Sequence, residues 1–188
     1  MFGPVALDTF VGGTDPAEGI EAAHRTAAAL IEHGRSTSCS QETARLVALT
    51  DEVGIEEVAE LWATQPADTL PGVLWRLYAL RDGIRRDARA TARGFEVGRR
   101  LAPVDEVVAG VQDPPGVKEV EALADAVLTG AFSGDLAVAM ERAAAFCRVV
   151  AAGWAAEADV EARRSTDLAR TAGQLGRAAG SWRRGELH

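Results

Sequence analysis

Leu136, Met140, Ala143, Cys147, Val150 and Trp154 follow one another at spacings of 4, 3, 4, 3 and 4 residues. At 3.6 residues per turn, that spacing places all six on one stripe of a single long helix. Most of the residues between them, including Ala137, Ala139, Ala144, Ala145, Phe146, Val149, Ala151 and Ala152, are apolar too. A helix that is apolar almost all round is stable only with other helices packed about it. The segment of about 133–156 therefore belongs at the centre of a helical bundle.

The rest of the chain repeats helical spacing and shows no alternating strand pattern. Thr14-Asp15-Pro16-Ala17-Glu18 is a helix start, followed by Ile20, Ala23, Ala27 and Leu30 or Ile31 on one face, with Gly34 as the stop. Ser40 opens a second helix with Leu46, Val47 and Leu49 as its apolar side, and Gly54 separates it from a third over 55–63. From 71 to about 101 runs a long amphipathic segment carrying Val73, Leu77, Leu80, Ile84, Ala88 and Phe95, with a kink near Asp87 or Gly94. Pro103 opens a short helical piece, and Asp113-Pro114-Pro115-Gly116 is a break. A helix over 117–129 closes at Gly130, Ser133 or Asp135 caps the central helix, and Leu168, Ala172, Leu175, Ala179 and Trp182 line a last one. The expected fold is all-α: a single-domain orthogonal or up-down bundle of seven to eight helices. Residues 1–13 form an N-terminal extension in this reading, and 183–188 a flexible tail.

Composition bounds the setting. Of 188 residues, 47% are apolar, enough to bury a core without staples. Arginine outnumbers lysine nineteen to one, Lys118 being the lysine, which points to a GC-rich bacterial genome. The start, Met1-Phe2-Gly3-Pro4, lacks the basic residues and long apolar run of a secretory signal. The most apolar stretch, 136–156, contains Glu141, Arg142 and Arg148, too many charges for an ordinary membrane span. Cys39 and Cys147 are read as free thiols. Together these features predict a cytoplasmic protein with no membrane segment. The net charge of −8 is distributed in blocks: −9 over 1–70, +5 over 71–102, −8 over 103–162 and +4 over 163–188. Such blocks can satisfy each other within the fold or across a dimer.

Four groups of residues could carry chemistry. Glu21-Ala22-Ala23-His24 resembles half of the ligand set of ferritin-like di-iron bundles, which need Glu-x-x-His on two helices and two further glutamates. The other histidines, His33 and His188, do not complete it. Glu56-Glu57-Val58-Ala59-Glu60 resembles the first metal-binding motif of the all-helical MazG-type nucleotide pyrophosphatases, where carboxylates on two helices hold Mg²⁺. That family also carries Glu-x-x-Asp on a later helix. Here Ala79-Leu80-Arg81-Asp82 has alanine at the first carboxylate, and Glu121 and Asp125 are four apart. With His24, these three glutamates are the metal candidates.

Arg81, Arg85, Arg89 and Arg93 recur every fourth residue, with Arg86 and Arg100 near the same side, and form a stripe that could meet phosphates. Overall acidity and the absence of a helix-turn-helix argue against nucleic acid. Glu141 and Arg148 share a side of the central helix, and Trp75 and Tyr78 form the densest aromatic spot, making these four the pocket candidates. No nucleophile elbow, P-loop or dinucleotide fingerprint is present, and no cofactor is implied.

Residues 70–81, Leu-Pro-Gly-Val-Leu-Trp-Arg-Leu-Tyr-Ala-Leu-Arg, and 143–150, Ala-Ala-Ala-Phe-Cys-Arg-Val-Val, resemble segments of an uncharacterised all-helical family of actinobacteria. The resemblance implies a cytoplasmic bacterial protein and no particular activity. The leading expectation is a non-enzymatic helical protein acting through protein–protein contact, as a homodimer or with another protein. Its grounds are the incomplete catalytic sets, the charge blocks and two heptad-spaced helices. The alternatives are a Mg²⁺-dependent pyrophosphatase-like enzyme using the glutamates, and nucleic-acid or phosphate binding by the arginine stripe.

Overall fold

Two of the expected segments are each divided into two helices. The structure is a computed structural model that describes residues 16–36, 40–157 and 162–187. Among these residues there are ten helices and no strand: α1 (Pro16–Ser36), α2 (Ser40–Val47), α3 (Leu49–Glu52), α4 (Ile55–Trp62), α5 (Leu70–Arg86), α6 (Ala88–Gly98), α7 (Pro103–Ala109), α8 (Val117–Ser133), α9 (Leu136–Ala156) and α10 (Ala162–Arg183). The expected second helix breaks at Ala48 into α2 and α3. The long amphipathic segment breaks at Asp87, which ends α5 and caps α6 by accepting a hydrogen bond from the Ala90 N–H at 3.3 Å. These two breaks account for ten helices instead of eight.

Other ends follow ordinary capping chemistry. The Thr69 hydroxyl accepts from the Gly72 N–H at 3.3 Å, with Pro71 in the first turn of α5. Asp135 caps α9 by accepting from the Ala137 N–H at 2.8 Å. Gly34 and Gly130 do not stop their helices, since α1 runs on to Ser36 and α8 to Ser133. Gly34 is instead a close approach, where a Cβ would lie 2.8 Å from the Cβ of Phe132. Residues 184–187, expected as part of a flexible tail, turn back at Gly185 (φ 71°) and bury Leu187. The expected helix start at Thr14, together with Cys39 and His188, lies outside the described residues.

The central helix is α9. Fourteen of its 21 residues are buried, including the whole stripe from Leu136 to Trp154. Around it pack α10, α6, α7 and α8, and α8 in turn carries α5, α1 and α2, with α4 on α5. Trp62, Tyr78 and Phe132 form an aromatic run with ring centroids 6.3 and 6.2 Å apart, and Phe95 stacks on Phe146 at 5.5 Å. No helix among the described residues is long and apolar enough to cross a membrane.

Where α6 crosses α9 the two backbones touch. A Cβ on Gly98 would lie 1.8 Å from the Val149 carbonyl oxygen, and one on Gly153 would lie 1.8 Å from that of Gly94. Neither main-chain atom can move without displacing a helix. Gly98→Ala is expected to cost about 2 kcal/mol or more in urea unfolding followed by circular dichroism. Gly176→Ala in α10, where a Cβ meets nothing within 4 Å, is expected to stabilise by about 0.5–1 kcal/mol. Equal effects of the two substitutions would disprove the backbone contact.

Candidate functional site

Helical periodicity says which residues share a face; on α7 the apolar face is the outer one. Pro103 sits at the helix start with Asp105 and Glu106 in the first turn, and Gly110 (φ 66°) closes it in the left-handed conformation. Ala109 is fully buried. Asp105 accepts a hydrogen bond from Arg148 Nε of α9 at 2.7 Å, and Arg142 of α9 donates to the Ala109 carbonyl from Nε and Nη2 at 3.4 and 3.3 Å. The polar edge of α7 is thus held against the bundle. On the other side Leu101, Val104, Val107 and Val108 are 59%, 76%, 75% and 43% exposed. Monomeric surfaces carry single apolar side chains routinely; here four such side chains, spaced 3, 3 and 1 residues apart, fall on one side of the helix.

The pocket candidates have separate fates. Arg148 goes to Asp105, as above, while Glu141 forms a two-pronged pair with Arg183 of α10, Nη2 to Oε2 being 2.8 Å. The Arg183 guanidinium holds the Glu141 carboxyl below the usual carboxylate range, against a smaller opposing effect of burial. Tyr78 is fully buried and donates its hydroxyl to the Leu46 carbonyl at 2.5 Å, and burial pushes its phenol up. Trp75 lines a cleft between α5 and α10. Burial pushes the Cys147 thiol up to about 12, so it serves as packing.

The arginine stripe is divided by the helix break. Arg89 and Arg93 lie on α6 and are exposed. Arg81 is only 2% exposed and already engaged. Its Nη1 and Nη2 donate to the two carboxylate oxygens of Asp51 at 2.9 and 2.7 Å, and its Nε donates to Asp125 at 2.7 Å. Arg85 joins both aspartates from the solvent side at 3.0 and 3.2 Å. Burial pulls the Arg81 pKa down, but the hydrogen bonds of Asp51 and Asp125 outweigh it and leave the guanidinium above its ordinary value.

Glu56, Glu57 and Glu60 are exposed on α4, with the Glu57 carboxylate folded back toward Gly54 ahead of the helix. His24 is half-buried on α1. Among the described residues, no three His, Cys, Asp or Glu side chains gather closely enough to hold a metal ion.

The strip on α7 was not singled out by the sequence, whereas Trp75, one of the four pocket candidates, does line a cleft. A Val-x-x-Val-Val spacing is present at 104–108, but it signals an apolar face without saying where that face points. No protein-family model matches the chain, and no curated protein and no solved structure matches it.

The buried guanidinium of Arg81 makes the Asp51–Asp125 pair a stability determinant. The double variant Asp51→Asn with Asp125→Asn is expected to lose about 3 kcal/mol at neutral pH, the low end for an uncompensated buried charge because the aspartates are partly solvated. Asp51 titrates below its ordinary value, chiefly through its hydrogen bond to Arg81. Its contribution is therefore fully present above the unfolded carboxylate pKa of about 4 and is lost as pH falls through the lower folded value. Urea unfolding should show a steeper acid loss in the wild type than in Asp51→Asn; parallel curves would contradict this.

Proposed function

We propose that the protein works in the cytoplasm through protein–protein contact, as a homodimer joined across the outer face of α7. The observation that carries this reading is the inverted helix: valines face solvent while an aspartate and a main-chain carbonyl are held against α9. An element that hides its polar edge and displays its apolar one gains by meeting a second apolar surface. A copy of itself is the partner that needs no further assumption, because a two-fold axis along the strip sets Val104 and Val107 against their own counterparts. A stable complex buries about 800 Å² per partner. The strip forms the apolar centre of such an area, with exposed polar neighbours such as Arg100 as its polar rim. The free, buried Cys147 accords with a reducing compartment.

Native mass spectrometry and sedimentation equilibrium across a concentration series test the reading. The wild type is expected to form a dimer, and Val104→Asp with Val107→Asp to be monomeric with unchanged helix content, since both positions lie on the surface. A wild type that stays monomeric throughout the series would refute the proposal, as would a double variant that still dimerises.

A further inference from the structure

Between α5 and α10 lies a cleft of about 420 Å³, within the range of small-molecule sites. Its floor is Phe146, Val150 and Trp154 of α9, and Leu80, Ile84 and Leu168 are among its walls. Small residues keep it open: Ala79 and Gly83 of α5 line it, and a Cβ on Gly83 would meet nothing within 4 Å. Among the described residues, side-chain bridges link the two helices near both ends of the cleft. At one end Arg76 Nε donates to Gln174 Oε1 at 2.8 Å. At the other, Arg164 pairs with Asp87 at 3.3 Å and lies over the Trp154 ring at 4.5 Å. From Arg76 to Gly83 the helix rises about 11 Å.

Arg76 is the unusual group. It is half-buried, and its partners among the described residues are two uncharged acceptors, Gln174 and the Gly72 carbonyl, the latter 2.6 Å from Nη1. No carboxylate of the described residues stands within ion-pair distance of it. Burial lowers its pKa, and only the more distant Asp68 charge opposes that. Buried Arg81 and half-buried Arg99 have carboxylate partners, whereas half-buried Arg142 meets the Ala109 main-chain carbonyl and does not line this cleft. A cation drawn from water without a counter-ion is costly, and one facing an apolar cleft is satisfied by an anion that brings an apolar body with it.

We propose that the α5–α10 cleft binds a small apolar or aromatic carboxylic acid, with its carboxylate on Arg76 and its body along Phe146, Val150 and Trp154. Of the two guanidiniums that line the cleft, Arg164 is paired with Asp87, and Asp167 adds a carboxylate to the wall, so Arg76 matches a monoanion and a dianion would leave a charge uncompensated. The planar fork of arginine takes a carboxylate in two hydrogen bonds, and displacing Gln174 or adding to it both leave that geometry available. This site is separate from the α7 face, so either proposal stands if the other fails.

Two probes test it: 2-naphthoate and decanoate, titrated by calorimetry and by the fluorescence of Trp75 and Trp154, with 2-naphthalenemethanol and decanol as uncharged counterparts. The expected result is saturable binding of at least one acid at one site per chain, at least tenfold tighter than its alcohol. Arg76→Met should remove that acid-over-alcohol preference while retaining the fold. Gly83→Leu, whose Cβ has open space around it and whose side chain would occupy the cleft wall, should abolish binding of acid and alcohol alike. The proposal is overturned if neither acid saturates, if acid and alcohol bind equally, or if both variants bind the acid as the wild type does.

Discussion

The contact between the backbones of α6 and α9 is the constraint on which the surrounding structure depends. Gly94 and Gly98 on one helix and Gly153 on the other remove the side chains that normally hold helix axes 8–10 Å apart. Closing that distance brings the Trp154 indole N–H to the Ala90 carbonyl, where it donates a buried hydrogen bond of 3.2 Å. It also lays Phe95 on Phe146. Phe146 and Trp154 then present their remaining surfaces to the cleft under α10. The floor of the candidate ligand site is therefore fixed from behind by the packing of α6 on α9.

Charge organises what apolar burial leaves open. The basic block over 71–102 reaches back to the first acidic block through Arg81 and Arg85 to Asp51, and forward to the second through the same arginines to Asp125. Arg99 meets Asp113 at 2.5 Å, and Arg183 meets Glu141, which joins the last basic block to the central helix. Exposed pairs of this sort contribute little each, typically less than about 1 kcal/mol. Arg81 differs because it is buried: removing its aspartates strands a charge, which makes that cluster specify how α3, α5 and α8 meet. The blocks thus find partners inside one chain, and a dimer is not needed to neutralise them.

The sequence made the middle of the fold legible and left its edges obscure, for physical reasons. The 4-3 stripe identified α9 because a helix buried on every side has one possible location. Heptad spacing likewise placed Ala172, Leu175 and Ala179 in the core. Glycine was ambiguous: the same residue that ends a helix by adopting positive φ, as Gly110 does, also permits close packing within one, as at Gly34 and Gly98. Asp87 was ambiguous in the same way, since a residue that weakens a helix interior is also one that starts the next. The arginine stripe looked continuous only on the assumption of one helix. The α7 strip was hidden most completely, because periodicity defines faces relative to one another and burial defines inside.

That inversion also sets the strength of association to be expected from α7. Full burial of a valine or leucine side chain contributes about 1.5–3 kcal/mol, and these four are already partly covered. Paired across a two-fold axis, the strips offer a gross gain on the order of 10 kcal/mol, which is comparable to the cost of about 4–15 kcal/mol for immobilising two molecules. The net expected of the proposed dimer is a modest, concentration-dependent association rather than an obligate one. Each protomer must then be stable alone, and its construction agrees: α9 is buried by its own chain, and Asp105 and the Ala109 carbonyl are satisfied by Arg148 and Arg142 of the same subunit. The polar side of α7 is held by α9, and this leaves its apolar side exposed.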